Sequence, residues 1–209
     1  MINLNDILEN FEIIPSDKAY EILLENMGKF KSEDDKTLYL VAGPNGSGKS
    51  TLIANLYKNK QIKANYINAD IYVRTIFKYL PTEKERNYQA MFYTMDLIKK
   101  CAYSYRPIIY ETVLSHPSKL DIVRQFKDNG FRIFSIFISP NDPQINVERV
   151  ATRVQEGGHN VPNEKIVERF YRSHKLKEGL KSLSDEYCEI DNSQMPRIID
   201  YKDGEQENS

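Results

Sequence analysis

The stretch Leu38-Tyr39-Leu40-Val41-Ala42-Gly43-Pro44-Asn45-Gly46-Ser47-Gly48-Lys49-Ser50-Thr51 decides the fold. An apolar run of strand formers leads into G-x-x-x-x-G-K-[ST], and Leu52-Ile53-Ala54-Asn55-Leu56 continues it as a helix. Strand, glycine-rich loop and helix in that order are the context a phosphate-binding P-loop requires. Glycine lets the backbone approach a phosphate closely, and the helix N-terminus that follows adds positive dipole and free N–H groups. Gly43, Pro44, Asn45, Gly46, Ser47, Gly48, Lys49, Ser50 and Thr51 are therefore the candidate ATP-binding residues. In such a loop the lysine, Lys49, reaches the β- and γ-phosphates and the Ser50 hydroxyl sits on Mg2+. A glycine-rich structural turn is the alternative, and it leaves both flanks unexplained. The motif implies a site for a nucleoside triphosphate.

Working outward, strands and helices alternate. Asn65-Tyr66-Ile67-Asn68-Ala69-Asp70 reads as a short strand ending in a carboxylate, and Thr82 to Tyr105 as a long helix between Pro81 and Pro107. Pro107 to Glu111 is a third strand, again ending in an acid, and His116 to Asn129 a helix closed by Gly130. Phe131 to Ile138 is the most hydrophobic strand; helices over Asp142 to Gln155 and Pro162 to Leu183 follow, then short strands at Tyr187–Ile190 and Arg197–Tyr201. This order predicts an α/β P-loop NTPase/kinase fold: a mostly parallel sheet of about five to six strands with helices on both faces. Ligands on such sheets bind at the carboxyl ends of the strands. The P-loop, Asp70 and Glu111 all follow strand ends and are expected to converge there.

Before the P-loop strand, residues 1–36 read as an N-terminal extension. It holds a helix over Ser16 to Phe30 with Ala19, Ile22, Leu23 and Met27 on one face, ended by Gly28. A polar hinge, Lys31 to Lys36, joins it to a kinase domain over 37–203, and 204–209 is a tail expected to fray.

Asp70 stands where a kinase places a group facing its acceptor, and a carboxylate there can take a proton from an attacking hydroxyl. Its alternative role is to N-cap a helix beginning at Ile71. Glu111 can hold Mg2+ through water, grip substrate hydroxyls, or make a buried structural hydrogen bond. Arg149 and Arg153 stand four apart and share a helix face beside Val147, Val150 and Val154; Gly157-Gly158 then breaks the helix, and Arg169 and Arg172 lie on the next. Guanidinium forks on a helical lid suit a clamp for a transferring phosphoryl group; a solvated helix face is the alternative. Arg124, Arg132 and Arg197 read as surface residues.

Composition narrows the class. The formal net charge of −1, with both signs interspersed, gives no footprint for nucleic acid or a membrane surface. Cys101 and Cys188 lie far apart, without zinc-ligand spacing or a disulfide framework, and no run approaches membrane-span length. A soluble cytoplasmic protein is the expectation.

The sequence resembles the zeta toxin family of P-loop kinases, and in particular its shorter branch. The matching segments are Ala42–Thr51 (AGPNGSGKST), Ile67–Asp70 (INAD), Tyr110–Lys119 (YETVLSHPSK), Arg149–Pro162 (RVATRVQEGGHNVP), Glu168–Ser173 (ERFYRS) and Ile190–Ser193 (IDNS). Together they span Leu38 to Tyr201. The resemblance implies a toxin of a toxin–antitoxin system that uses ATP and Mg2+ to phosphorylate a small metabolite. The acceptor it implies is the 3′-hydroxyl of UDP-N-acetylglucosamine, with a possible antitoxin as protein partner. It assigns Asp70 as catalytic base, Lys49 as the phosphate-binding lysine, and Arg153 with Arg169 as the γ-phosphate clamp. Asp70, Glu111 and Thr112 fall at the substrate, and Ser50 at the metal. Members that poison peptidoglycan synthesis have E-G-T after the third strand, whereas Thr112-Val113-Leu114 follows Glu111 here. A kinase acting on a nucleotide, cofactor or antibiotic stays open, as does a nucleotide-gated binding module. The strand-end acid and arginine lid favour transfer to an acceptor over transfer to water.

Overall fold

A computed structural model describes residues 8–9, 11–27, 36–104, 106–158 and 160–204. The expected ends of the first helix (28–30) and of the long helix (Tyr105), most of the hinge (31–35), His159 and residues 205–209 lie outside the described residues.

The elements, in order, are α1 (Ser16–Glu25), β1 (Thr37–Ala42), α2 (Lys49–Lys58), β2 (Asn65–Ile67), α3 (Ala69–Arg74) and α4 (Glu83–Cys101). They continue with β3 (Ile108–Thr112), α5 (Ser118–Asp128), β4 (Arg132–Ser139), α6 (Pro143–Gln155), α7 (Asn163–Leu183), β5 (Glu186–Asp191) and β6 (Arg197–Lys202). One six-stranded sheet has the order β2-β3-β1-β4-β5-β6, parallel throughout except for the β5–β6 pair. The P-loop strand β1 is thus central, and the loops after β1, β2, β3, β4 and β5 leave from one edge.

Strand alternation builds a core on each face. Leu38, Leu40 and Tyr110 point to one side with Phe126, Phe137 and Leu180; Val41 and Ile109 point to the other with Leu52, Ile53 and Leu56 of α2. Local signals set the helix ends. Thr82 and Glu85 form a reciprocal capping box at the start of α4, and Asp142 accepts the Gln144 N–H ahead of Pro143 in α6.

The described part of the extension packs behind the P-loop helix. Ala19 and Ile14 cover Ala54, and Leu23 joins the core around α2. Asn55, fully buried on α2, accepts the Glu12 N–H (2.9 Å) and donates to the Glu12 carbonyl (3.0 Å). One amide side chain therefore pairs with a backbone segment as a neighbouring strand would. Replacing it removes both bonds and leaves an under-packed site, at a cost of about 2 kcal/mol. Asn55→Ala is expected to lower Tm by about 6 °C for a chain of this size and to raise amide exchange across 11–27. An unchanged Tm and exchange pattern would mean that Glu12 is not a tether.

Candidate active site

The P-loop turn runs between β1 and α2, and its carbonyls are held from three directions. Lys49 Nζ donates to the Pro44 carbonyl (2.8 Å), Asn146 Nδ2 of α6 to that of Asn45 (2.6 Å), and Asn192 Nδ2 after β5 to that of Ser47 (2.9 Å). A trans peptide unit is planar with C=O and N–H opposed, so each pinned carbonyl aims the next residue's N–H the other way. The N–H groups of Asn45, Gly46 and Gly48 are oriented by these contacts. Gly48 has φ +94°, and a Cβ there would lie 2.5 Å from Asn192 Nδ2. Only glycine lets the turn sit against Asn192.

Lys49 is the electrostatic centre of the site. Burial lowers its ammonium below the ordinary lysine range; Glu111 opposes this, Arg153 adds to it, Asp70 opposes and Arg169 adds. Two further cations and two carboxylates, drawn from four other elements, thus lie close enough to act on the Lys49 charge. Such a cationic cluster, partly withdrawn from water, suits a polyphosphate.

The four lid arginines divide. Arg169 Nη1 donates to Asn45 Oδ1 (3.1 Å), and Arg153 is half-buried in the field of Lys49. Arg149 instead donates to the Ser193 carbonyl (3.4 Å), and Arg172 pairs with Glu168 on an exposed surface. Gly158 folds onto Arg153: its N–H reaches the Arg153 carbonyl (2.9 Å), and a Cβ would lie 2.6 Å from the Arg153 stem. That contact gives the glycine pair a reason. Val147, Val150 and Val154 join Val161 and Ile166 in a small cluster that unites α6 with α7. Beyond Arg169, α7 is fastened to the sheet. Ser173 donates to the Val113 carbonyl (2.5 Å), His174 shares a hydrogen bond with Ser139 (3.0 Å), and Lys177 grips buried Glu189 (2.7 Å). The lid thus has one limb fastened to the sheet and a second packed against it.

Asp70 is exposed in the first turn of α3, which begins at Ala69. The cap is Asn68, whose Oδ1 accepts the Asp70 N–H (2.8 Å). The expectation that Asp70 itself caps a helix starting at Ile71 is corrected. Asn caps as well as Asp, and here it does so two residues earlier. The Asp70 carboxylate is left at a helix N-terminus, where a negative charge is favoured.

Glu111, half-buried at the end of β3, takes the Ser50 hydroxyl at 3.0 and 3.1 Å and the Tyr66 hydroxyl at 2.5 Å. Thr112 is buried, with its hydroxyl 3.5 Å from the Leu114 N–H. Ser50 and Glu111 are adjacent hard oxygen donors, the kind that Mg2+ takes one or two at a time while phosphate oxygens and water complete its shell. No cluster of three or more His, Cys, Asp or Glu able to cage a metal occurs among the described residues. The donor set fits Mg2+ shared with a nucleotide. No helix among the described residues is long and apolar enough to cross a membrane.

Asn146 and Tyr66 were not singled out from sequence, Asn68 only as part of INAD and Asn192 only as part of IDNS. Their partners lie 101, 45, 2 and 145 residues away, and apart from the Asn68–Tyr66 neighbours no local pattern could reveal the pairs.

Comparison with known proteins places this geometry among relatives. The model of the AAA domain family matches residues 38–175. Among solved structures, one similar chain comes from the PezAT chromosomal toxin–antitoxin system of Streptococcus pneumoniae. It has a TM-score of 0.63 and 17% identity over 90% of this chain and 81% of that one. The AvrRxo1-ORF1:ORF2 complex with ATP gives 0.64 and 14% over 96% and 68%, and a putative kinase from Chloroflexus aurantiacus J-10-fl gives 0.52 and 16% over 68% and 79%. No curated protein matches. The chain shares its fold with these structures.

Lys49 faces the loop carbonyl and contributes a desolvated charge to the fold. Lys49→Met is therefore expected to keep Tm near or above the parent while losing at least about 10²-fold in ATP turnover, the scale for removing one preorganised electrostatic group. Turnover retained in that variant would rule out P-loop chemistry.

Proposed function

The chain belongs to the AAA domain family, and on that premise we propose that it is an ATP-dependent phosphotransferase acting on a hydroxyl of a small metabolite. The observation that carries this reading is that Glu111, Arg153, Asp70 and Arg169 all lie close enough to Lys49 to act on its charge. It joins a phosphate-binding lysine and two guanidinium groups to a carboxylate free to meet an acceptor. The ATP held in the AvrRxo1 complex supports the choice of nucleotide.

In this mechanism the pinned N–H groups and Lys49 bind the β- and γ-phosphates. Arg153 and Arg169 meet charge on the γ-phosphoryl group as it transfers. Asp70 accepts the acceptor's hydroxyl proton as its oxygen bonds to phosphorus; the bond from phosphorus to the β,γ-bridging oxygen breaks, and ADP leaves. Ser50 and Glu111 would hold Mg2+, which neutralises charge on the β- and γ-phosphates when bound. A nucleotide-gated module would need a residue that positions water and would give Asp70 no task.

The acceptor implied by the zeta toxin resemblance is a UDP-activated sugar, UDP-N-acetylglucosamine, and the matching biological role is that of a toxin held by an antitoxin. The toxin–antitoxin origin of the PezAT neighbour supports that role. The burial of Thr112 favours a second acceptor within the same chemistry, a different hydroxyl-bearing small molecule, because that hydroxyl is turned to its own loop. Incubating the protein with ATP, Mg2+ and either UDP-N-acetylglucosamine or a bacterial metabolite extract, then seeking a phosphorylated product by mass spectrometry, separates the two.

Two variant sets test the assigned roles. Arg153→Ala and Arg169→Ala are expected to lower kcat by about 10²-fold or more while the KM for ATP changes little, since the charge they meet develops during transfer. Parent-like kinetics in both would make them a solvated face. Asp70→Asn keeps size and leaves the Asn68 cap intact, so Tm and ATP affinity should hold while transfer falls by roughly 10²- to 10⁴-fold. Near-normal transfer by Asp70→Asn would remove the base from the mechanism.

A further inference from the structure

Glu111 does not stand alone beside the P-loop. Tyr66, 2% exposed on β2, donates its hydroxyl hydrogen to Glu111 Oε2 (2.5 Å), and Asn68 Nδ2 donates to the Tyr66 oxygen (2.8 Å). Asn68 Oδ1 is already taken by the Asp70 N–H (2.8 Å), so the amide must turn its NH2 toward Tyr66. On the other side the Ser50 hydroxyl gives its one hydrogen to the same carboxylate, at 3.0 and 3.1 Å. A hydrogen-bonded line therefore runs from the Asp70 backbone through Asn68, Tyr66 and Glu111 to Ser50.

The line has a chemical consequence. A serine hydroxyl that donates to a carboxylate keeps its lone pairs for another partner. Glu111 thus orients Ser50 as an oxygen ligand, provided the carboxylate itself stays in place. Its competing partner is Lys49, whose ammonium it attracts. A carboxylate swung onto Lys49 would spoil both the ligand and the lysine. Tyr66 prevents that by holding one oxygen from the β2 side.

We infer that Tyr66 and Asn68 are positioning residues that hold Glu111 against Ser50, and so set the P-loop's affinity for the divalent cation that accompanies the nucleotide. The inference deepens the phosphotransferase reading and rests on its ATP–Mg2+ site. The β2–β3 register puts Tyr66 opposite Ile109, on the same side of the sheet as Glu111 two residues further along β3. Asn68 adds the link by which the helix carrying Asp70 is keyed to the same carboxylate.

The test is calorimetric titration of ATP into parent and variants, in EDTA and at stepped Mg2+ concentrations. Tyr66→Phe keeps the buried ring and removes the donor. Its ATP affinity in EDTA should match the parent, while the Mg2+ concentration giving half-maximal tightening rises about tenfold, the usual scale for losing an outer-sphere partner. Asn68→Ser keeps a capping oxygen but loses the NH2 donor, and should shift Mg2+ dependence the same way by a smaller factor. In a Glu111→Gln background, Tyr66→Phe should add nothing, because the carboxylate it acts through is gone. Parent-like Mg2+ dependence in both single variants overturns the inference, and so does an equal loss of ATP affinity with and without Mg2+, which marks a packing role. If Tyr66→Phe fails to fold, Asn68→Ser, which leaves the buried ring untouched, decides by the same criteria. A parent protein that binds ATP without any Mg2+ effect overturns the cation site itself, and the reading above with it. A Mg2+-sensitive parent beside insensitive variants removes only the roles of Tyr66 and Asn68.

Discussion

The pinned carbonyls of the P-loop are the constraint on which the rest of this structure depends. A phosphate cradle needs several N–H groups aimed inward, and a glycine-rich turn left to itself has too much freedom to keep them so. Here the direction is imposed indirectly. Lys49, Asn146 and Asn192 each seize a carbonyl, and peptide planarity turns the following N–H groups the opposite way. The donors come from the loop itself, from the lid helix α6 and from the exit of β5. Correct assembly of the lid and of the fifth strand is therefore a condition of an oriented P-loop, not merely an addition to it.

That dependence explains what could be read from the chain and what could not. The P-loop carries its own context of strand, loop and helix, and alternating apolar segments gave the parallel sheet and most element limits to within a few residues. Thr82 with Glu85, and Asp142 ahead of Pro143, are local devices, and the helix starts expected at Thr82 and Asp142 fall on the caps they form. Asp70 misled as a cap because Asn68, two positions earlier, has the same capping chemistry and took the role. The supports of the site were hidden for a different reason. Asn146 meets its loop partner across 101 residues and Asn192 across 145, distances that only the strand order makes short. A buried asparagine carries no periodic signal of its own.

The lid divides along the same line. Arg169 sits at the head of a helix fastened by Ser173, His174 and Lys177 to the ends of β3, β4 and β5. Arg153 sits on the other limb, whose apolar contacts are the small cluster of Val150, Val161 and Ile166 with Val147 and Val154. Few buried apolar contacts mean a low local opening free energy. The two guanidinium groups therefore differ in mechanical terms. Arg169 is carried by a helix tied to three strand ends, and Arg153 by one whose apolar contacts are that small cluster, although Asn146 on the same helix also holds the P-loop. Opening the α6 limb would release a loop carbonyl as well as an arginine, which couples access to the site with the order of its cradle.

The back of the site follows from the extension. Leu23 packs into the core beneath α2, and the carbonyl of Asn26 accepts the N–H of Tyr66 (3.4 Å). Tyr66 is thus held twice, by its backbone to the extension and by its hydroxyl to Glu111. β2 is only three residues long and forms the edge of the sheet, where a strand has one neighbour and half its ladder unmet. The extension supplies one of those missing bonds and covers the edge beside the residue that steadies the carboxylate. In physical terms it belongs to the wall of the site: α1 lies behind α2, α2 begins with Lys49 and Ser50, and the chain that follows α1 contacts the strand from which Tyr66 reaches Glu111.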